Sequence, residues 1–127
     1  MGILYDGNDE KVELIEEVAE VVKVTYEIRN LDLISDEYYY DIYEPYSEIL
    51  VRGRKEQVDN VHSAKVVIDF YEIERIKRGE YNLAGNHMLD DLPIIVYDKD
   101  ERKIDDIIII PSSKLNISIT LTKKGQH

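Results

Sequence analysis

Hydrophobic and polar side chains alternate with period two through residues 22–31. Val22, Val24, Tyr26 and Ile28 fall on one face, and Lys23, Thr25, Glu27 and Arg29 on the other. Successive side chains of a strand point to opposite faces, so this stretch predicts a strand with one buried and one wet side. The same reading predicts strands over 48–52, 65–69, 80–83, 94–97, 104–110 and 114–122. The last of these carries Leu115, Ile117, Ile119 and Leu121 against Asn116, Ser118 and Thr120. The four isoleucines at 107–110 put Ile108 and Ile110 on one side and Ile107 and Ile109 on the other, so both faces are expected to be partly covered. Pro45 and Pro111 each stand a few residues before an alternating segment. Proline holds the residue before it extended, which suits a clean entry into a strand.

Between the strands the pattern changes. Residues 54–63 place Val58 and Val61 on one side of one or two helical turns. Phe70, Ile73 and Ile76 recur at steps of three, which predicts a short helix or 3-10 turn over 70–78, stopped by Gly79. Asp98 to Arg102 reads as a polar hairpin turn. Residues 30–44 read as a loop, 84–91 as an insert-like loop, and Gly53 as a strand stop requiring positive φ. Residues 9–21 are ambiguous. Val12, Ile15, Ala19 and Val22 have near-helical spacing behind a cap at Asn8 or Asp9, while Lys11 to Leu14 alternates like a strand. Residues 1–20 are therefore expected to be a linker, a helix or the tail of a preceding repeat, residues 21–122 one domain, and 123–127 a tail. The fold class is mostly β, at most α+β: a small mixed or antiparallel sandwich or barrel-like domain with one or two short helices.

Composition narrows the functions. The 127 residues carry 27 acids and 16 bases, a formal charge of −11, which disfavours nucleic acid and adhesion to anionic lipid by charge. With 43% hydrophobic residues the chain can bury a core, and with no cysteine it has neither disulfides nor thiolate sites. No apolar run approaches the ~18–20 residues of a membrane span. The start at Met1-Gly2 lacks the features of a secretory signal and reads as the beginning of an excised fragment.

Reactive chemistry is thinly encoded. His62, His87 and His127 are too scattered to chelate a metal and read as surface or loop residues. Asp98-x-Asp100-Glu101 lacks the glycine and distal glutamate of a calcium loop, so it reads as a solvated turn, with a weak cation site as the alternative. Asp90-Asp91 and Asp105-Asp106 have the same plain reading, with a carboxylate-based enzyme as its rival. The serines lack a nucleophile elbow, and Gly53, Gly79 and Gly85 form no phosphate cradle. Arg52-x-Arg54-Lys55 and Arg75-x-Lys77-Arg78 read as charged faces. No catalytic residue, cofactor or metal is expected.

Tyr38, Tyr39, Tyr40, Tyr43 and Tyr46 are half of the ten tyrosines and lie within nine residues, interleaved with acids. Tyrosine buries a large ring while keeping a wet hydroxyl, which suits a protein interface. The competing account places alternate rings in the core along an irregular strand. These five are the candidate partner-binding residues.

The order of these pieces resembles the YbbR domain. It runs Pro45, Ile49-x-Val51-x-Gly53, Val58, Val61, Val67-Ile68-Asp69, Gly79, Val96-Tyr97-Asp98, Pro111 and Leu115-x-Ile117-x-Ile119, behind the opening strand at 22–31. The resemblance covers roughly residues 20–122 and departs from the family at Arg54, where proline is more usual, and in the long 84–91 segment. It implies a non-catalytic repeat on the extracytoplasmic side of a membrane-anchored bacterial protein, a regulatory partner of a membrane-bound diadenylate cyclase. Adjacent YbbR repeats would be its neighbours, and the membrane segment would lie outside this chain. A structural or adhesive spacer is the alternative within the same resemblance.

Overall fold

In the computed structural model, which describes residues 16–125, the alternating stretch around Val22 becomes β1 (Glu17–Arg29), the spine of a five-stranded sheet. Its first half pairs antiparallel with β3 (Glu48–Arg54), in register Val22 with Ile49. Its second half pairs parallel with β4 (Ser63–Asp69), in register Val24 with Ala64. The pairing with β3 ends as the Val24 N–H bonds the Ser47 carbonyl at 2.9 Å, and the pairing with β4 begins at Val24 on the opposite edge of β1. β6 (Ile95–Tyr97) flanks β4 and β7 (Ile108–Ile110) flanks β3, both antiparallel. The order is β6-β4-β1-β3-β7.

A second, antiparallel sheet has β8 (Lys114–Lys123) at its centre, between β2 (Tyr38–Tyr43) and β5 (Gly85–Pro93). The two sheets form a curled sandwich, mostly β, with two short helices among the described residues: α1 (Lys55–Asp59) and α2 (Glu74–Lys77). Their inner faces share one core, in which Ile49, Val51, Val66 and Ile68 meet Leu89, Ile117, Ile119 and Leu121. Val58 of α1, together with Phe70 and Ile73, fills that core without exposed surface. Each such fully buried side chain contributes about 1.5–3 kcal/mol.

Several elements differ from the sequence reading. β1 starts at Glu17, inside the stretch expected to be a helix or linker; residues 1–15 lie outside the described residues. The expected 30–44 loop contains a 3-10 turn (Leu31–Leu33) and then six residues of regular strand, β2. The expected insert at 84–91 is most of β5, because His87 and Leu89 face inward and pair across to Ile119 and Ile117. Residues 80–83 form no strand: they are irregular chain leading to Leu83, which is buried. The expected 104–110 strand pairs with β3 only at its end. Earlier, Ile104 donates to the Val96 carbonyl at 2.8 Å and so covers the far side of β6. Ile108 is 49% exposed, while Ile107 and Ile109 pack on the core.

Gly53 is a further correction. Its backbone is ordinary strand, and what favours glycine there is the limited space. A Cβ at Gly53 would lie 3.2 Å from Ile107 Cγ2 and 3.5 Å from the Asp106 carbonyl oxygen, where the 104–107 crossing passes over β3. Gly79 does take positive φ, at 72°, and ends α2 as the pattern predicts.

Candidate interaction surface

β8 alternates strictly, with Leu115, Ile117, Ile119 and Leu121 buried and Asn116 and Thr120 exposed. Directly paired residues of antiparallel strands share a face, so β8 dictates how its neighbours sort. Tyr40 pairs with Leu121 and Ile42 with Ile119, while Tyr39 pairs with Thr122, Asp41 with Thr120 and Tyr43 with Ser118. Tyr38, Tyr40 and Ile42 therefore face inward, and Tyr39, Asp41 and Tyr43 face out.

The five candidate tyrosines separate accordingly. Tyr38 is 3% exposed; its hydroxyl accepts the Leu83 N–H at 2.9 Å and donates to the Tyr81 carbonyl at 3.4 Å. Tyr40 lies at the rim, packed edge-on against Phe70 with ring centroids 5.8 Å apart. Tyr46 is half-buried against the core, and its carbonyl accepts the Tyr26 hydroxyl at 2.6 Å. Burial of the Tyr26 ring, foremost, holds that phenol above its ordinary pKa. Tyr39 and Tyr43 are 62% and 67% exposed. The structure thus brings together Tyr39 and Tyr43 on one wet face, with Asp41 between them, and uses Tyr38 and Tyr46 to hold the fold.

That outer face is polar and hydrogen-bonded. Ser118 donates to Asn86 Oδ1 at 2.6 Å, and the Lys124 ammonium lies 5.2 Å from the Tyr39 ring centroid. Met88, half exposed and paired with Ser118, adds an apolar spot that sequence reading missed by treating its strand as a loop. Along the chain around β2 acids outnumber bases, although Lys123 pairs with Tyr38 and Lys124 lies against Tyr39 at one end of the strand. Residues 30–53 hold Asp32, Asp36, Glu37, Asp41, Glu44 and Glu48 against the single base Arg52. None of these acids is in an ion pair among the described residues.

The other candidates resolve into structure. Asp98 Oδ1 accepts the N–H groups of Asp100 at 2.8 Å and Arg102 at 2.9 Å, which makes it the pin of a turn. The Arg102 N–H is the main reason its carboxyl sits below the usual range. An open cleft of about 480 Å³ lies between Asp59–His62 and this turn, with both charge signs on its walls. Asp91 takes positive φ at the irregularity within β5, and Asp106 takes positive φ in the bend before β7. Among the described residues no three of His, Asp and Glu converge as a metal site. His62 is exposed as expected, but His87 is a core residue, its Nε2 2.6 Å from the Leu83 carbonyl oxygen. His127 lies outside the described residues. The basic clusters are engaged with neighbouring acids, Lys55 with Asp59 at 2.7 Å and Lys77 with Glu72 at 2.9 Å, as charged faces are.

No protein-family model matches the sequence, and no curated protein matches it. Two solved structures share the fold. A YbbR-like protein from Streptococcus pneumoniae aligns with a TM-score of 0.52 at 14% identity, over 84% of this chain and 48% of that one. A structural-genomics protein from Streptococcus thermophilus, solved in solution, gives 0.55 at 16% identity over 91% and 94%. The chain thus has a YbbR-like fold, as the resemblance in its sequence implies, and spans about half the length of the pneumococcal protein.

Proposed function

We propose that this chain is a non-catalytic protein-binding module of the YbbR family. In this reading it is one repeat on the outer side of a membrane-anchored bacterial protein that modulates a diadenylate cyclase. The shared fold supports the family assignment. The observation that carries the binding role is the division within β2: Tyr39 and Tyr43 are presented to solvent on a strand whose other face packs on the core through Tyr38 and Ile42. Exposed aromatic rings with wet hydroxyls are what protein interfaces enrich. No helix of the described residues is long and apolar enough to cross a membrane. In this reading, coupling to the cyclase passes through a membrane segment supplied by the longer protein.

The test is co-expression of the cyclase with the chain joined to the membrane segment of its longer protein, reading co-purification and cyclic di-AMP output. Tyr39→Ser with Tyr43→Ser is the informative variant, because Tyr38 belongs to the core and its loss would confuse folding with binding. Co-purification and altered output with the wild-type chain, both lost in the double variant, are expected. Unchanged output with the wild-type chain defeats the regulatory role and leaves the spacer reading.

A further inference from the structure

Four strands form the edges of the two sheets, and three of them are protected. β6 is three residues long, and the chain folds back along it through the Tyr97–Lys103 bridge and the Ile104 N–H. β7 is also three residues and runs into Pro111. β5 is broken by an irregularity between Leu89 and Leu92, with Asp91 at positive φ, and ends in Pro93. Short length, bulges and proline are the usual defences of an edge against pairing with a foreign strand. β2 has none of them. It pairs with β8 through six consecutive residues without a shift and contains no glycine, proline or lysine.

Which groups it leaves open follows from the ladder. The Lys124 N–H bonds the Glu37 carbonyl at 2.8 Å, so the odd positions 39, 41 and 43 exchange hydrogen bonds with β8. The N–H and C=O of Tyr40 and Ile42 then point away from the sheet. Among the described residues nothing pairs with them.

We propose that β2 is a docking edge for an extended segment of a partner protein in which lysine or arginine alternates with apolar residues. The inference rests on the reading of this chain as a partner-binding module, and names where and how the partner attaches. Main-chain pairing to Tyr40 and Ile42 supplies affinity, and alternate side chains supply selectivity. On the outer face the incoming strand meets Tyr39, Asp41 and Tyr43. A cation opposite Asp41 is paired and flanked by two rings, and Tyr39 already holds the Lys124 ammonium against its face. On the inner face it meets Tyr40 and Ile42, which call for apolar partners. The six acids between residues 30 and 53 favour a basic strand and repel an acidic one. A second copy is a poor occupant: each chain carries −11, and antiparallel self-pairing centred on Asp41 sets the two Asp41 carboxylates against each other.

The test uses the full chain and a fluorescein-labelled peptide of alternating lysine and valine, followed by anisotropy and by amide hydrogen exchange. Binding at least about tenfold tighter than the glutamate–valine peptide is expected, and a loss of similar size in Asp41→Lys with Glu44→Lys. The Tyr40 and Ile42 amides should slow in exchange when the lysine peptide is bound. A lysine peptide with prolines replacing alternate valines keeps the charge but cannot complete the ladder, so it should bind about tenfold more weakly. Equal binding by the proline peptide, or unchanged exchange at Tyr40 and Ile42, overturns the edge. So does slow exchange at both in the free chain, whether from self-association or from cover by residues 1–15. A cyclase effect that persists alongside any of these results leaves the module reading intact and removes only this edge.

Discussion

In the five-stranded sheet the core positions are aliphatic apart from Tyr26 of β1, and in β4 the neighbours of Ala64, Val66 and Ile68 along the strand are more exposed. In the three-stranded sheet β2 places tyrosine at four of its six positions and sends them both ways. The difference teaches what fixes the facing of an ambiguous strand. Tyrosine is at home in a core that offers its hydroxyl a partner and equally at a wet surface. Its identity therefore does not choose a face; pairing with the strictly alternating β8 does. One sheet is specified strand by strand, while the other is specified by its central strand, which leaves its edge free to carry aromatic residues for another purpose.

The largest effect comes from breaking the centre of the smaller sheet. Ile119 is fully buried and sits between Ile42 and His87 in the ladder, so Ile119→Ala should cost about 2–5 kcal/mol in denaturant unfolding. A smaller loss there would mean that β8 does not organise its neighbours. On the other sheet, Gly53→Val must displace the 104–107 crossing and should cost about 1–3 kcal/mol. Ile108→Ala, on the half-exposed side of the same region, should cost less than Ile109→Ala.

The tyrosines divide the same way. Tyr38→Phe strands the buried Leu83 N–H and should cost about 1–3 kcal/mol, whereas Tyr43→Ser should stay within about 0.5 kcal/mol. Equal melting of the two variants would erase the distinction between inward and outward rings.

The smallest effect is electrostatic. Asp98 has a lowered pKa in the fold, so its contribution is present above its unfolded value, near 4, and is lost as pH falls through the folded one. Asp98→Asn keeps the Oδ1 acceptor of the turn but cannot titrate. Its stability should lie slightly below the wild type's at neutral pH, fall less steeply on acidification and converge with the wild type's below about pH 4. An unaltered acid limb would remove Asp98 from that role.

Much of the larger sheet was legible because its residues separate cleanly by polarity: 65–69 appears within β4, and the 22–31 strand holds as far as Arg29 but begins earlier, at Glu17. β5 was not, since a histidine takes an inward position and a methionine an outward one, reversing the usual signs. His87 can do so because Leu83 offers it a carbonyl, a contact no periodicity reveals. β2 was hidden by its own uniformity. The tyrosine cluster was visible as a candidate surface, but its division was not, because that depends on a strand some 80 residues away in sequence. Gly53 was singled out for the wrong cause: the crossing above it is a tertiary feature.

Amide hydrogen exchange along β2 of the free 127-residue chain tests the central claim most directly. The N–H groups of Tyr39, Asp41 and Tyr43 should be protected by β8, while those of Tyr40 and Ile42 exchange much faster, giving alternation residue by residue. Uniform protection across the strand, or uniform fast exchange, would contradict an ordered strand with one open side.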